Sequence, residues 1–165
     1  FGLFGYLMFN ISFGWGFSMM AGVITLAMMI LPLIIRTTEE ALLAVPDSYR
    51  EGSFGLGAGK MRTVFRVILP TAVPGIMSGV ILSIGRIVGE SAALIFTSGS
   101  GHSIPGSLVG SGSSAATLTV HMYILSNEGL HVNEAFASAV VLLALTFLIN
   151  LVSDLIERRI AKKKG

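Results

Sequence analysis

Two charged side chains interrupt an otherwise apolar stretch of this chain: Arg86 and Glu90, between Thr71 and Ser98. Four residues apart, they can pair along one helix face. If the stretch crosses a bilayer, each charge at mid-membrane costs at least about 2.5–3.5 kcal/mol, so both must face protein or water. On a helix turning about 100° per residue, Gly75, Gly79, Leu82, Arg86, Glu90 and Ala93 share a stripe roughly 80° wide. Gly75 and Gly79, with Gly85 and Gly89 beside the stripe, have the spacing of close helix contacts. That face is expected to point into the protein. Two chemistries fit the pair. One is an internal ion pair that fixes helix register. The other puts Arg86 on a translocation path, where its guanidinium fork suits a phosphate-like oxyanion and Glu90 holds or neutralises it.

The elements that would position this pair are membrane elements. Of the 165 residues, 53% are hydrophobic and only 12% charged, against about 25% charged in a soluble domain. So much apolar surface does not fit one soluble core. There is no Cys, hence no disulfide framework, thiolate chemistry or Cys-based metal site.

A bilayer core needs about 20 apolar residues in helical form. Residues 17–35, 71–98 and 135–153 meet that need, and residues 1–11 read as the tail of a fourth span. The chain opens on Phe1 within this apolar run, so it reads as a piece of something longer. No basic stretch precedes the run, so a signal peptide is not expected. The basic residues fall in two places: Arg36, Arg50, Lys60, Arg62 and Arg66 in 36–70, and Arg158, Arg159, Lys162, Lys163 and Lys164 in the tail. Residues 99–134 have no Lys or Arg. By the positive-inside rule, 36–70 and the C-terminus are cytoplasmic and 99–134 is external. Ser98 to Ser114 reads as a flexible connection. Thr117 to Asn127, with Leu118, Met122 and Leu125 on one face, is too short to span and reads as an interfacial or re-entrant helix.

The loop 36–70 reads as a helical hairpin. Thr37 or Thr38 can cap a first helix, with Glu39 and Glu40 in its favourable first turn, running to Val45. Pro46 interrupts it or opens the next helix, Asp47 to Leu56. Gly55, Gly57 and Gly59 permit a sharp turn. Lys60 to Leu69 then repeats apolar residues at helical spacing, and Pro70 is expected to stop or kink it. A hairpin with so little apolar mass is expected to pack on another surface.

Within it, Glu51-Gly52-Ser53, three residues, Gly57, nine residues, Val67, one residue and Leu69-Pro70 resembles the EAA loop of ABC importer permeases. That loop reads Glu-Ala-Ala, three residues, Gly, nine residues, Ile, one residue, Leu-Pro. Glu51, Gly57, Leu69 and Pro70 match; Gly52, Ser53 and Val67 depart by small or conservative changes. The wider stretch resembles the phosphate-specific importer permeases of the PstA type, in the binding-protein-dependent transport inner-membrane family. Its markers are Leu31-Pro32, Arg36 to Ala41, Val45-Pro46 and Gly85 to Ser91, with Ser91 where Thr is usual. The resemblance implies an all-α polytopic transmembrane bundle like the type I ABC importer permeases. The chain would be the C-terminal part of such a permease domain, a fragment of about 3–4 spans with a cytoplasmic helical hairpin. It implies a transport subunit of a bacterial or archaeal inner membrane, not an enzyme, with no cofactor bound by this chain. The implied partners are a separate ATPase subunit on the loop, a second permease subunit, an external substrate-binding protein and membrane lipid, without nucleic acid.

Other motifs do not hold. Gly55 to Lys60 lacks the Gly five residues before Gly59 and the Ser or Thr after Lys60 that a P-loop needs. His102, His121 and His131 are ten or more residues apart without a carboxylate cluster, and read as surface or interface histidines, not as a metal site. The competing functions are a permease of the same build for molybdate, sulfate or an amino acid, a channel or secondary transporter without an ATPase, and a plain membrane anchor. A plain anchor leaves Arg86 and Glu90 without a purpose.

Overall fold

A computed structural model describes residues 1–101, 106–109, 113–129 and 131–162. His102, Lys163 and Lys164 lie outside the described residues, as do parts of the Ser/Gly-rich stretch. The described residues form helices joined by turns, with no strand among them. They are α1 (Gly2–Ser12), α2 (Met19–Leu43), α3 (Asp47–Gly55), α4 (Lys60–Gly89), α5 (Ala92–Thr97), α6 (Leu118–Glu128) and α7 (Val132–Lys162). Within α2, α4 and α7, the segments Met19–Leu43, Lys60–Gly89 and Val132–Leu155 are long and apolar enough to cross a membrane. The expected all-α bundle of membrane-length helices is what forms. Two compact units divide the chain: Phe1–Leu31 with Gly85–Ile149, and Pro32–Ile84 with the described part of Asn150–Gly165.

The helices outrun the apolar stretches that announce them. α2 does not restart at Thr37 or Thr38 but runs on to Leu43. The Thr37 hydroxyl bonds back to the Leu33 and Ile34 carbonyls at 3.0 and 3.2 Å, so it serves a helix interior and caps nothing. Arg36 and Glu40 pair at 3.2 Å one turn apart and support the extension. Termination comes with Pro46, whose ring keeps Val45 out of the helical region. Pro46, extended at ψ 141°, then precedes α3.

α4 likewise passes through Pro70 without stopping. Immediately before it, Val64–Ile68 widens into a π-helical turn. Pro70 removes one N–H and its ring presses on the preceding turn, and a local widening is a known way to accommodate such a lesion. The Leu69 N–H accordingly bonds to the Val64 carbonyl.

In the first unit, helices approach through small residues. A Cβ on Gly2 would stand 2.8 Å from the Ala93 Cα, and one on Gly22 would stand 3.0 Å from the Ser98 Cβ. A Cβ on Gly5 would press on the Thr25 side chain and stand 2.9 Å from the Thr97 Cγ2. Such close backbone approach is how helices pack when lipid supplies no hydrophobic drive. Ser18 caps α2, its hydroxyl accepting from the Ala21 N–H at 3.3 Å. The Met19 and Met20 N–H groups donate to the carbonyls of Ser113 and Leu108.

The Ser/Gly-rich stretch is pinned at both ends. The Ser98 hydroxyl donates to the Ala115 carbonyl at 2.6 Å, and the Ser114 hydroxyl to the Ser98 carbonyl at 2.9 Å. These ends are therefore ordered where the composition alone suggests a loose linker. α6 matches its expected span, with Thr117 capping it through the Val120 N–H and Gly129 closing it at φ 65°. α7 exposes Phe136, Val140, Leu143 and Phe147, as suits a helix meeting lipid or neighbouring helices.

In the second unit, the end of α2 packs on α4 around buried Val45, Ile68 and Ala72, with Ala41, Leu42 and Ile76 against them. Gly75 and Gly79 face α2 there: a Cβ on Gly75 would meet the Ala41 Cβ at 2.9 Å, and one on Gly79 would meet the Thr37 Cβ at 2.7 Å.

Candidate functional site

The apolar stretch holding Arg86 and Glu90 is not one continuous helix. α4 ends at Gly89, and α5 begins at Ala92 after a break at Glu90 and Ser91. Arg86 occupies the last turn of α4, where a cation complements the helix dipole. It is exposed, and among the described residues it makes no hydrogen bond or ion pair. Glu90 is half-buried in the break. Its Oε1 accepts from the Ala93 N–H at 3.1 Å, so the carboxylate caps the first turn of α5. Its carbonyl accepts from the Thr119 hydroxyl of α6 at 3.1 Å.

Two expectations are corrected here. The expected pairing of Arg86 with Glu90 along one helix is absent, because the break turns the carboxylate toward the α5 backbone. The proposed inward stripe also divides. Gly75 and Gly79 pack on α2, whereas Leu82 and Arg86 are exposed, and nothing lies within 4 Å of a Cβ on Gly85 or Gly89. What emerges is a guanidinium free of partners within the described residues, beside a helix break.

The EAA-like segment falls on α3, the following turn and the first half of α4. Glu51 and Gly52 lie on the exposed surface of α3. Glu51 has no polar partner among the described residues, and a Cβ on Gly52 would meet nothing within 4 Å, room enough for the Ala of the resembled pattern. Ser53 is half-buried and shares a hydrogen bond of 2.9 Å with the Thr63 hydroxyl. Gly57 sits at φ +79° in the turn between α3 and α4, a conformation that favours glycine. Leu69 and Pro70 are half-buried, inside α4 and not at its end. Tyr49, Phe54, Leu56, Met61 and Phe65 are all exposed on the hairpin.

Sequence reasoning gave no role to Arg50. Its guanidinium reaches the Leu42 carbonyl at 3.0 Å, the Val45 carbonyl at 3.2 Å and the Asp47 carboxylate. The available signal was its place four residues after Pro46, within reach of the helix end that Pro46 creates. Of the histidines, His131 pairs with Glu134 at 3.3 Å. Among the described residues no group of His, Cys, Asp and Glu gathers as metal ligands would.

Residues 1–164 match the family described as binding-protein-dependent transport system inner membrane component. The chain is 36% identical, over 96% of its length, to the phosphate transport system permease protein PstA 2 of Mycobacterium bovis, covering 54% of that protein. It is 44% identical over 59% of its length to the probable ABC transporter permease protein YqgI of Bacillus subtilis, covering 33% of it. Over 50% of its length it is 50% identical to the phosphate transport system permease protein PstA of Yersinia pestis, covering 28% of it. The chain thus spans about half or less of the length of these relatives. No solved structure matches it. With three membrane-length helices and a match along nearly its whole length, this multi-pass membrane chain belongs to the binding-protein-dependent transport system inner membrane component family.

Proposed function

We propose that the chain is the C-terminal part of a permease subunit of an ATP-driven importer for inorganic phosphate. The observation that carries the importer reading is the exposed hairpin of α3 and the start of α4, held between two membrane-length helices. Glu51 stands on it without a partner among the described residues. A separate ATPase subunit is its occupant: closure of two such subunits on ATP would move the hairpins and swing the spans between outward- and inward-open arrangements. Hydrolysis belongs to that subunit, and this chain binds no cofactor of its own. The hairpin and the C-terminus are cytoplasmic, following the clustering of Lys and Arg. An external binding protein delivers substrate to 99–134 and neighbouring loops, and a second permease subunit completes the pathway.

The substrate rests on two supports. Relatives named as phosphate transport system permease proteins align along most of the chain. Arg86, a cation without a partner among the described residues at the end of a membrane-length helix, is the donor that a phosphate oxyanion needs. Glu90 acts beside it by holding the helix break that places the Arg86 turn.

Reconstituting the complete permease with its ATPase and binding-protein partners and following radiolabelled phosphate tests this reading. ATP-dependent uptake is expected. Uptake of sulfate or molybdate instead would overturn the phosphate assignment alone. Transport indifferent to ATP and to the ATPase subunit would favour a channel or secondary transporter.

A further inference from the structure

The end of α2 leaves carbonyls that no further turn can satisfy, because Pro46 ends the helix. Arg50, on the next helix, takes one of them, Leu42 at 3.0 Å, and the carbonyl of Val45 just beyond the helix at 3.2 Å, while the Asp47 carboxylate steadies the same guanidinium. A short helix on the surface is thereby tied to the end of a membrane-length helix by charge-assisted bonds, the stronger kind. A second tie joins α3 to α4 through Ser53 and Thr63 at 2.9 Å. Thr63 is buried and also bonds to the Gly59 carbonyl at 3.2 Å. Val45, whose carbonyl Arg50 holds, is also part of the buried apolar patch with Ile68 and Ala72, against which Leu42 packs.

We propose that Arg50 is a positioning residue: its two-carbonyl clamp makes α3 and the end of α2 one rigid lever, so that a push on α3 reaches the spans. Without it, α3 would pivot on its flanking Pro46 and Gly57 and dissipate the motion. This inference rests on the importer reading above. It adds to that reading a specific link by which hydrolysis is converted to transport. Arg50 has its guanidinium committed to this chain's own carbonyls, so its role differs from that of Glu51, one residue along, which has no partner among the described residues.

The test uses the complete permease assembled with its ATPase and binding-protein partners, carrying Arg50→Gln or Arg50→Lys. Two quantities are read: phosphate moved per ATP hydrolysed, and amide hydrogen exchange across 47–55. Each loss of a charge-assisted bond predicts faster exchange in α3, by about tenfold or more. Phosphate moved per ATP should fall by a similar factor while assembly and ATP hydrolysis persist. Lysine offers a point charge and no fork, so it should not restore coupling. Ser53→Ala, which cuts only the second tie, should cause a smaller loss. Unchanged exchange in α3, unchanged phosphate per ATP in Arg50→Gln, or full coupling in Arg50→Lys would each overturn the clamp. If the unaltered complex moves no phosphate, the substrate assignment fails, while the exchange measurement still decides whether the clamp exists.

Discussion

The Thr119 hydroxyl donates to the Glu90 carbonyl across 3.1 Å, so a residue of α6 holds the break between α4 and α5. Thr119 is buried. The carbonyl it reaches is one that the end of α4 leaves without a helical partner. Thr119→Val keeps the shape and deletes the donor. Leaving a buried acceptor unmet costs about 1–3 kcal/mol; the bond to half-buried Glu90 is partly buried, so a loss toward the low end, about 1 kcal/mol, is expected in denaturant titration of the purified permease in detergent. A control at Thr146, whose exposed hydroxyl bonds within its own helix, should change stability far less.

Gly79 and Gly85 offer the same chemical change in two environments. A Cβ on Gly79 would stand 2.7 Å from the Thr37 Cβ, closer than atoms tolerate, whereas one on Gly85 meets nothing within 4 Å. Gly79→Ala must push α2 and α4 apart, and overpacking of this kind costs typically about 1–3 kcal/mol. Gly85→Ala should be neutral or slightly stabilising through the helix preference for Ala. Thermal unfolding of the two variants, compared with the parent, reads the difference directly.

Much of the fold was legible because the bilayer imposes a coarse rule: about 20 apolar residues make a span. That rule found the three long helices. Turn chemistry found α3 behind Pro46 and the positive φ of Gly57. It failed where a charge was taken for the end of a helix. Arg36 to Glu40 leave the apolar stretch but not the helix, since an i,i+4 pair supports further turns as readily as it marks an aqueous border. Pro70 suggests a stop or a kink, and the π-helical turn at Val64–Ile68 that lets the helix continue through it has no sequence signature of its own. The break at Glu90 and Ser91 was hidden for the opposite reason. Apolar residues continue past it, and the carbonyl it frees is met by a tertiary bond from Thr119, 29 positions away. The hairpin's Glu51, Gly57 and Ser53 could be placed from spacing, but the Arg50 clamp depends on where two helix ends meet in space.

The placement of Arg86 bears most directly on transport. An exposed guanidinium that no described residue neutralises, in the last turn of a membrane-length helix, is costly unless water, an anion or a neighbouring subunit meets it. Arg86→Lys keeps the charge but loses the fork. It should retain some phosphate transport with a weakened apparent affinity, measured as a raised half-saturating phosphate concentration in vesicles loaded with ATP.

ATP-dependent uptake of radiolabelled phosphate by the complete importer, with Arg86→Gln beside the unaltered protein at matched assembly with the ATPase subunit, tests the central claim most directly. The account predicts that uptake in the variant falls to the level seen without ATP while the complex still assembles. Undiminished uptake in that variant would contradict it and leave Arg86 a structural cation at the end of its helix.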